Sequence, residues 1–275
     1  ALAYPPVEWP WLAWVGLAPL VWLGLRQGRG AFALGYAFGL GFFAVSCCWL
    51  KEIFILIPLG LALVMALFPA LWLTLAVGLW RALWVGPKDD LRPRTDPRVP
   101  PLPLPGPWRQ CLWLLLVAAA WSAFEWTRGW FLSGFPWNYL GASQWSNTWL
   151  LPLTRFTGVI GISFVLAGVG GGLGLAIWLW PRQAALPPWR RLPWALLLAM
   201  AIVVLAGLAR RAYTLPAPDR VVRVGMCQGN IPQIRQYTPE QLWDAIQVYL
   251  ALTQQLSEQP TPPDLIIWPE TAVPA

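Results

Sequence analysis

Near one end of the 275-residue chain, Asp264-Leu265-Ile266-Ile267-Trp268-Pro269-Glu270-Thr271-Ala272 sets a single carboxylate directly after a run of large apolar residues. Leu, Ile, Ile and Trp in succession read as a buried β-strand. Pro269 ends it, because proline brings no N–H to a central ladder. Glu270 then stands at the carboxyl end of the strand, the edge at which α/β folds commonly build their sites. A carboxylate on a stiff support is suited to general-base work. A surface glutamate would have the same local sequence, so spacing alone leaves both readings open.

Glu125 and Arg128 form a second candidate pair, three residues apart on one helical face of an apolar run. Ionisable groups at membrane depth are costly unless paired. The two are therefore expected to interact, either to hold the following loop or to touch a lipid headgroup. Cys47, Cys48 and Cys111 fall in or beside apolar runs, and Cys227 falls on an expected strand. With no Cys-x-x-Cys pair and no histidine in the chain, neither a zinc site nor a disulfide framework is expected. No cofactor is implied by these residues.

The elements that must position these groups are mostly apolar. Hydrophobic residues make up 57% of the chain and charged residues 11%, with 22 tryptophans and a mean hydropathy of +0.53. A soluble domain carries about 25% charged residues. The composition describes an integral membrane protein with a small water-exposed part. The net charge of +7 is scattered over short links. That arrangement suits anionic lipid better than nucleic acid, so no nucleic-acid partner is expected.

Six apolar stretches run about Trp9–Leu25, Gly30–Leu50, Ile53–Trp80, Cys111–Trp126, Phe156–Trp180 and Leu192–Ala209. A membrane crossing takes about 20 helical residues, which the second, third and fifth meet easily. Ala1-Leu2-Ala3-Tyr4-Pro5-Pro6 reads as the continuation of an earlier span, not as a cleaved signal peptide. One set of links holds Arg26, Arg29, Arg81, Lys88, Arg92, Arg94, Arg98, Arg109, Arg182, Arg190 and Arg191; the alternate set holds Lys51, Arg128 and Arg155. The richer set belongs on the cytoplasmic side, which places everything after Arg211 outside. Val85–Trp108 reads as an irregular cytoplasmic loop with a stiff Pro101–Pro105 tract. Gly168, Gly170, Gly171, Gly172 and Gly174 crowd the fifth stretch, where they either admit close helix contacts or bend the helix.

The link from Gly129 to Arg155 is unusually aromatic for a loop and is studded with Gly, Pro, Asn and Ser. It is expected to be re-entrant or to lie at the interface, where its tryptophans either cradle acyl chains or belong to the aromatic belt. Beyond the last stretch, Val221–Gln228 reads as a strand, Gly229-Asn230-Ile231-Pro232-Gln233 as a turn, and Thr238-Pro239-Glu240-Gln241 as a capped helix start. The helix continues to about Ser257 and is followed by the Asp264–Trp268 strand. The fold class is thus a polytopic α-helical membrane part, residues 1–211, followed by the opening strand–helix–strand of an α/β domain, residues 212–275.

Three groups of residues carry a family likeness. One is Glu125-Trp126-Thr127-Arg128-Gly129 with Ser133-Gly134-Phe135-Pro136-Trp137, Leu140-Gly141 and Ser143-Gln144. A second is Thr157-Gly158-Val159 with Gly161-Ile162-Ser163-Phe164. A third is Val224-Gly225 through Gln228-Gly229-Asn230-Ile231-Pro232-Gln233, closed by Ile266-Ile267-Trp268-Pro269-Glu270-Thr271-Ala272. Together they resemble the bacterial apolipoprotein N-acyltransferases, membrane enzymes whose extracytoplasmic domain belongs to the nitrilase (carbon–nitrogen hydrolase) superfamily and has its αββα fold.

The resemblance implies that Glu270 is the general base of a Glu-Lys-Cys triad. Its lysine and cysteine lie well beyond this position, so these 275 residues alone are expected to be inactive, and Cys227 is not the nucleophile. Candidate lipid or substrate contacts are Trp137, Tyr139, Trp149, Tyr237, Glu125 and Arg128, and the turn at Gly229, Asn230 and Pro232 is expected to shape the site. The implied reaction moves an acyl chain from a phospholipid to the α-amine of a diacylglyceryl-cysteine on an apolipoprotein, through a thioacyl-enzyme and without metal or cofactor. The implied setting is the bacterial inner membrane, as a monomer, with the catalytic domain on the periplasmic side. Ala142 and Tyr237 depart from the aromatic residue and the tryptophan common in the family at those places, which puts individual lipid contacts in doubt. The alternatives are a membrane-anchored amide hydrolase or other acyltransferase of the same superfamily, and a non-enzymatic lipid-binding or transport module.

Overall fold

A computed structural model describes residues 1–28, 30–84, 106–131, 134–180, 193–208, 219–231 and 238–270. The Pro101–Pro105 tract, Arg182, Arg190, Arg191, Pro232 and Tyr237 lie outside the described residues. The chain divides into two compact units, Ala1–Thr214 and Leu215–Ala275.

The first unit is a helical bundle. Its helices are α1 (Leu12–Val15), α2 (Ala18–Gln27), α3 (Ala31–Ser46), α4 (Ile57–Met65), α5 (Leu67–Trp84), α6 (Pro107–Arg128), α7 (Thr154–Leu179) and α8 (Trp194–Leu208). Helix α7 packs against α1, α2, α6 and α8, and its glycines explain how it fits among them. A Cβ at Gly170 would press on Leu17, one at Gly174 on the Ala18 carbonyl and Val21, and one at Gly172 on the Leu196 backbone. Of the two readings of this glycine cluster, close helix contact is the one observed. The bend lies earlier, at Gly158, where φ is 62° and ψ is −168°.

Tryptophans fill the core between α5, α6 and α7. Trp80 meets Trp113 and Trp178 edge-on, with centroids 5.5 and 5.6 Å away. A buried indole N–H needs an acceptor, and two helices supply one reciprocally. Trp72 on α5 donates to the Val117 carbonyl on α6 at 2.9 Å, and Trp113 on α6 donates to the Ala76 carbonyl on α5 at 2.8 Å. The outer faces carry Leu59, Leu63, Leu71, Leu197, Val204 and Leu205 exposed. Apolar residues on the outside of a tryptophan-packed bundle mark a surface made for lipid. The first unit is a multi-pass membrane domain.

Two helical runs among the described residues are long and apolar enough to cross a membrane: Ile57–Leu83, 27 residues that take in α4 and most of α5, and Leu151–Leu179, 29 residues that take in a short 3₁₀ turn and α7. The second apolar stretch does not give a helix of that length. Helix α3 has 16 residues and gives way to a 3₁₀ turn at Cys48–Glu52. The Ser46 hydroxyl bonds back to the Phe42 carbonyl at 2.7 Å, the local competition that often ends a helix. The first stretch is split between α1 and α2, and the third is interrupted at Ala66. Pro69 accounts for the second break, since it cannot donate to the Met65 carbonyl and is tolerated only in the first turn of the new helix α5.

The second unit is β1 (Val224–Met226), α9 (Pro239–Ser257) and β2 (Leu265–Ile267). The strands run parallel, with Val224 opposite Leu265 and Met226 opposite Ile267. The sequence-predicted cap of α9 is present. Thr238 Oγ1 accepts from Gln241 N, and the Gln241 side chain accepts from Thr238 N. Asp264 fixes the start of the pairing, because its carboxylate accepts from Arg223 N at 2.9 Å. The strands are less buried than the run of apolar residues predicts. Leu265 is 51% and Ile267 45% exposed, because α9 covers one face of the sheet only.

Candidate functional site

Parallel pairing brings the carboxyl ends of β1 and β2 to one edge, where open α/β sheets place their ligands. The pairing extends one residue past the strands, with Cys227 N donating to the Ile267 carbonyl at 3.0 Å. From there β1 leads into Gln228-Gly229-Asn230, and β2 leads into Trp268-Pro269-Glu270. Glu270 and the Gly229–Asn230 turn therefore leave the sheet at the same edge.

Each side of that edge is anchored. Gly229 lies where a Cβ would strike the Tyr249 ring, so only glycine lets the turn come this close to α9. Asn230 has a φ of 48°, a left-handed conformation that asparagine tolerates better than most residues. On the other side, the Trp268 indole donates to Thr253 Oγ1 at 2.8 Å, and its ring lies 5.5 Å from that of Tyr249. Cys227 is buried within 3.9 Å of Thr253 Oγ1, where it packs beneath the edge. Glu270 is exposed and sits two residues after this anchored tryptophan. A carboxylate so placed can reach a group brought to the edge from outside.

The membrane unit assembles a second cluster at the carboxyl end of α6. Glu125 and Arg128 are 5% and 3% exposed, and hydrogen bonds tie both to the aromatic link. Glu125 Oε1 accepts from Leu140 N at 2.7 Å and from the Trp121 indole at 3.0 Å. Arg128 Nη1 donates to the Trp137 carbonyl at 2.7 Å. Its guanidinium also lies over the rings of Tyr139 and Phe43, 5.0 and 5.2 Å from their centroids. Gly129 leaves the room that the Tyr139 hydroxyl occupies. Trp137 is 48% exposed and leans on Trp49 at 5.5 Å. Trp149 is also exposed, with Gly207 on α8 making space for its ring.

Several residues hold this link that sequence reasoning gave no role. Gln144 Oε1 accepts from Trp14 Nε1 and Asn147 Nδ2, while its Nε2 donates to the Pro10 carbonyl. Ser163 Oγ accepts from Gly141 N at 2.8 Å. Tyr4 donates to the carbonyls of Asn138 and Tyr139. Gln144 and Ser163 stand in the family motifs without an assigned role, and Ser163 also shows as a polar side chain inside an apolar run, where an unpaired polar group is costly. Beside the cluster, Phe38, Phe42, Phe68, Trp72 and Phe124 line an apolar cavity of about 490 Å³ that Glu125 and Arg128 border.

Comparison with known proteins agrees with the motifs. Residues 1–172 match the family model described as the apolipoprotein N-acyltransferase N-terminal domain. A protein named apolipoprotein N-acyltransferase from Methylococcus capsulatus is 34% identical over 291 aligned positions, covering 99% of this chain and 49% of that protein. Relatives of the same name from Azotobacter vinelandii and Pseudomonas putida are 36% and 35% identical, each covering 99% of this chain and 49% and 50% of their own length. The chain spans about half the length of the curated relatives it matches.

Proposed function

The chain belongs to the apolipoprotein N-acyltransferase family, and from that membership we propose that its protein moves an acyl chain from a phospholipid to the α-amine of a diacylglyceryl-cysteine on an apolipoprotein. The observation that carries the reading is Glu270 at the carboxyl edge of a parallel pair, two residues from a tryptophan fixed to α9. In this reading Glu270 is the general base. It takes the proton of a cysteine thiol supplied by a later part of the full-length protein, and the thiolate attacks the ester carbonyl of the phospholipid.

A lysine from the same later part and backbone N–H groups stabilise the resulting oxyanion. Collapse of the tetrahedral species expels the lysophospholipid and leaves a thioacyl-enzyme. The lipoprotein amine then attacks the thioester and releases the thiol, and the acyl chain ends in an amide. Gly229 and Asn230 shape the turn that leaves the sheet at the same edge as Glu270, and Pro232 and Tyr237 are proposed to complete that site. Trp137, Tyr139 and Trp149 meet the acyl chains of the membrane-borne substrates, with Glu125 and Arg128 bonded to the Trp137–Leu140 segment from behind. The α/β unit works on the periplasmic side of the inner membrane. Trapping of radiolabelled acyl groups on the full-length protein, and their loss when Glu270 is changed to Gln, tests the reading.

A further inference from the structure

Glu125 and Arg128 are enclosed at the end of α6, and each takes hold of a different end of the same four residues. Glu125 accepts the Leu140 N–H, and Arg128 donates to the Trp137 carbonyl. Between these points the Tyr4 hydroxyl reaches the carbonyls of Asn138 and Tyr139, and Asn138 adopts a φ of 54°. The strained asparagine persists because its neighbours are held on both sides. Just beyond, Gly141 N is held by Ser163, and a Cβ there would collide with the Val159 carbonyl. The segment presents outward the half-exposed Trp137, which stacks on Phe135 and tilts against Trp49.

Burying two ionisable side chains is expensive unless their bonds are well made. A simple tether could be built from neutral groups, as Tyr4 and Ser163 show. Bonds of 2.7 Å to such groups are short and directional, and what they add is fixed geometry. We propose that Glu125 and Arg128 are positioning residues for lipid engagement, acting through the Trp137–Leu140 segment without touching the lipid themselves. They hold Trp137 and Tyr139 in one arrangement against the acyl chain of a glycerophospholipid. The activity readout rests on the acyltransferase reading above, while the geometry does not.

The test uses full-length protein in nanodiscs, with amide hydrogen exchange and steady-state acylation measured together. Glu125→Ala is expected to speed exchange in residues 135–144 by about tenfold and to raise KM for phospholipid by about tenfold, with kcat within about twofold. Peptides from the rest of α6 and from α7 keep their protection. Glu125→Gln keeps an acceptor oxygen and is expected to restore exchange and KM to within about threefold of the parent. Arg128→Met is expected to repeat the Glu125→Ala pattern and Arg128→Lys to recover part of it, which carries the comparison if Glu125→Ala fails to accumulate. Adding Glu125→Ala to Trp137→Ala is expected to raise KM little further, since both act on one contact. Unchanged exchange in Glu125→Ala would overturn the proposal, as would a Glu125→Gln as defective as Glu125→Ala, or KM effects that multiply in the double variant. If the full-length protein transfers no acyl group at all, the functional reading fails, and the exchange measurement still decides whether the pair is a clamp.

Discussion

Trp268 connects the candidate base to its support. Its indole N–H bonds to Thr253 and its ring lies against Tyr249, so the chain leaving β2 has little freedom two residues before Glu270. Thr253→Val removes the acceptor and strands an indole N–H that is partly buried, a loss of about 1–3 kcal/mol. The expected outcome in the full-length protein is a lower unfolding midpoint and slower acylation, with normal membrane insertion; unchanged acylation would separate Glu270 from this anchor. The carboxylate itself was legible in the sequence, because apolar residues followed by Pro-Glu form a local pattern. Thr253 was not, because its role depends on α9 folding back over the strand. The same holds for Glu125 and Arg128. Spacing placed them on one face, but their partners at Leu140 and Trp137 come from a loop whose path no periodicity describes.

At the level of elements, glycine decides how closely the helices approach. A Cβ at Gly35 on α3 would lie 2.7 Å from the Ala70 Cα on α5, whereas Gly78 on α5 has open space around its Cβ position. Gly35→Val is therefore expected to destabilise the bundle by about 1–3 kcal/mol through overpacking. Gly78→Ala is expected to stabilise it by about 0.5–1 kcal/mol, since alanine favours a helix interior. Thermal unfolding in detergent reads both, and equal shifts in the same direction would contradict the packing described. The cap at Thr238, the end of α9 at Ser257 and both strands were legible because each is written in a few adjacent residues. Burial of β2 was overstated, because a run of Leu, Ile and Ile reports an apolar strand without showing how many layers cover it. The short reach of α3 was hidden for a related reason, since apolar composition continues through Cys47–Leu50 while the backbone turns to 3₁₀ geometry.

For the molecule as a whole, the membrane unit follows from composition, the small α/β unit from its strand, turn and cap signals, and the family from motifs spread along the chain. The side of the membrane rests on the distribution of Lys and Arg among the links. A cysteine introduced at exposed Ser257 in the full-length protein is expected to react with an impermeant maleimide added from the periplasmic side. Reaction from the cytoplasmic side alone would reverse the topology. The proposed role of Glu270 as the proton acceptor that makes the thiolate is checked by incubating full-length protein with radiolabelled phospholipid and counting acyl groups bound to the enzyme. The parent protein is expected to accumulate label in the absence of a lipoprotein acceptor. Glu270→Gln is expected to lower the rate of labelling by about 10²–10⁴-fold while inserting normally, whereas labelling at the parental rate would contradict the assignment.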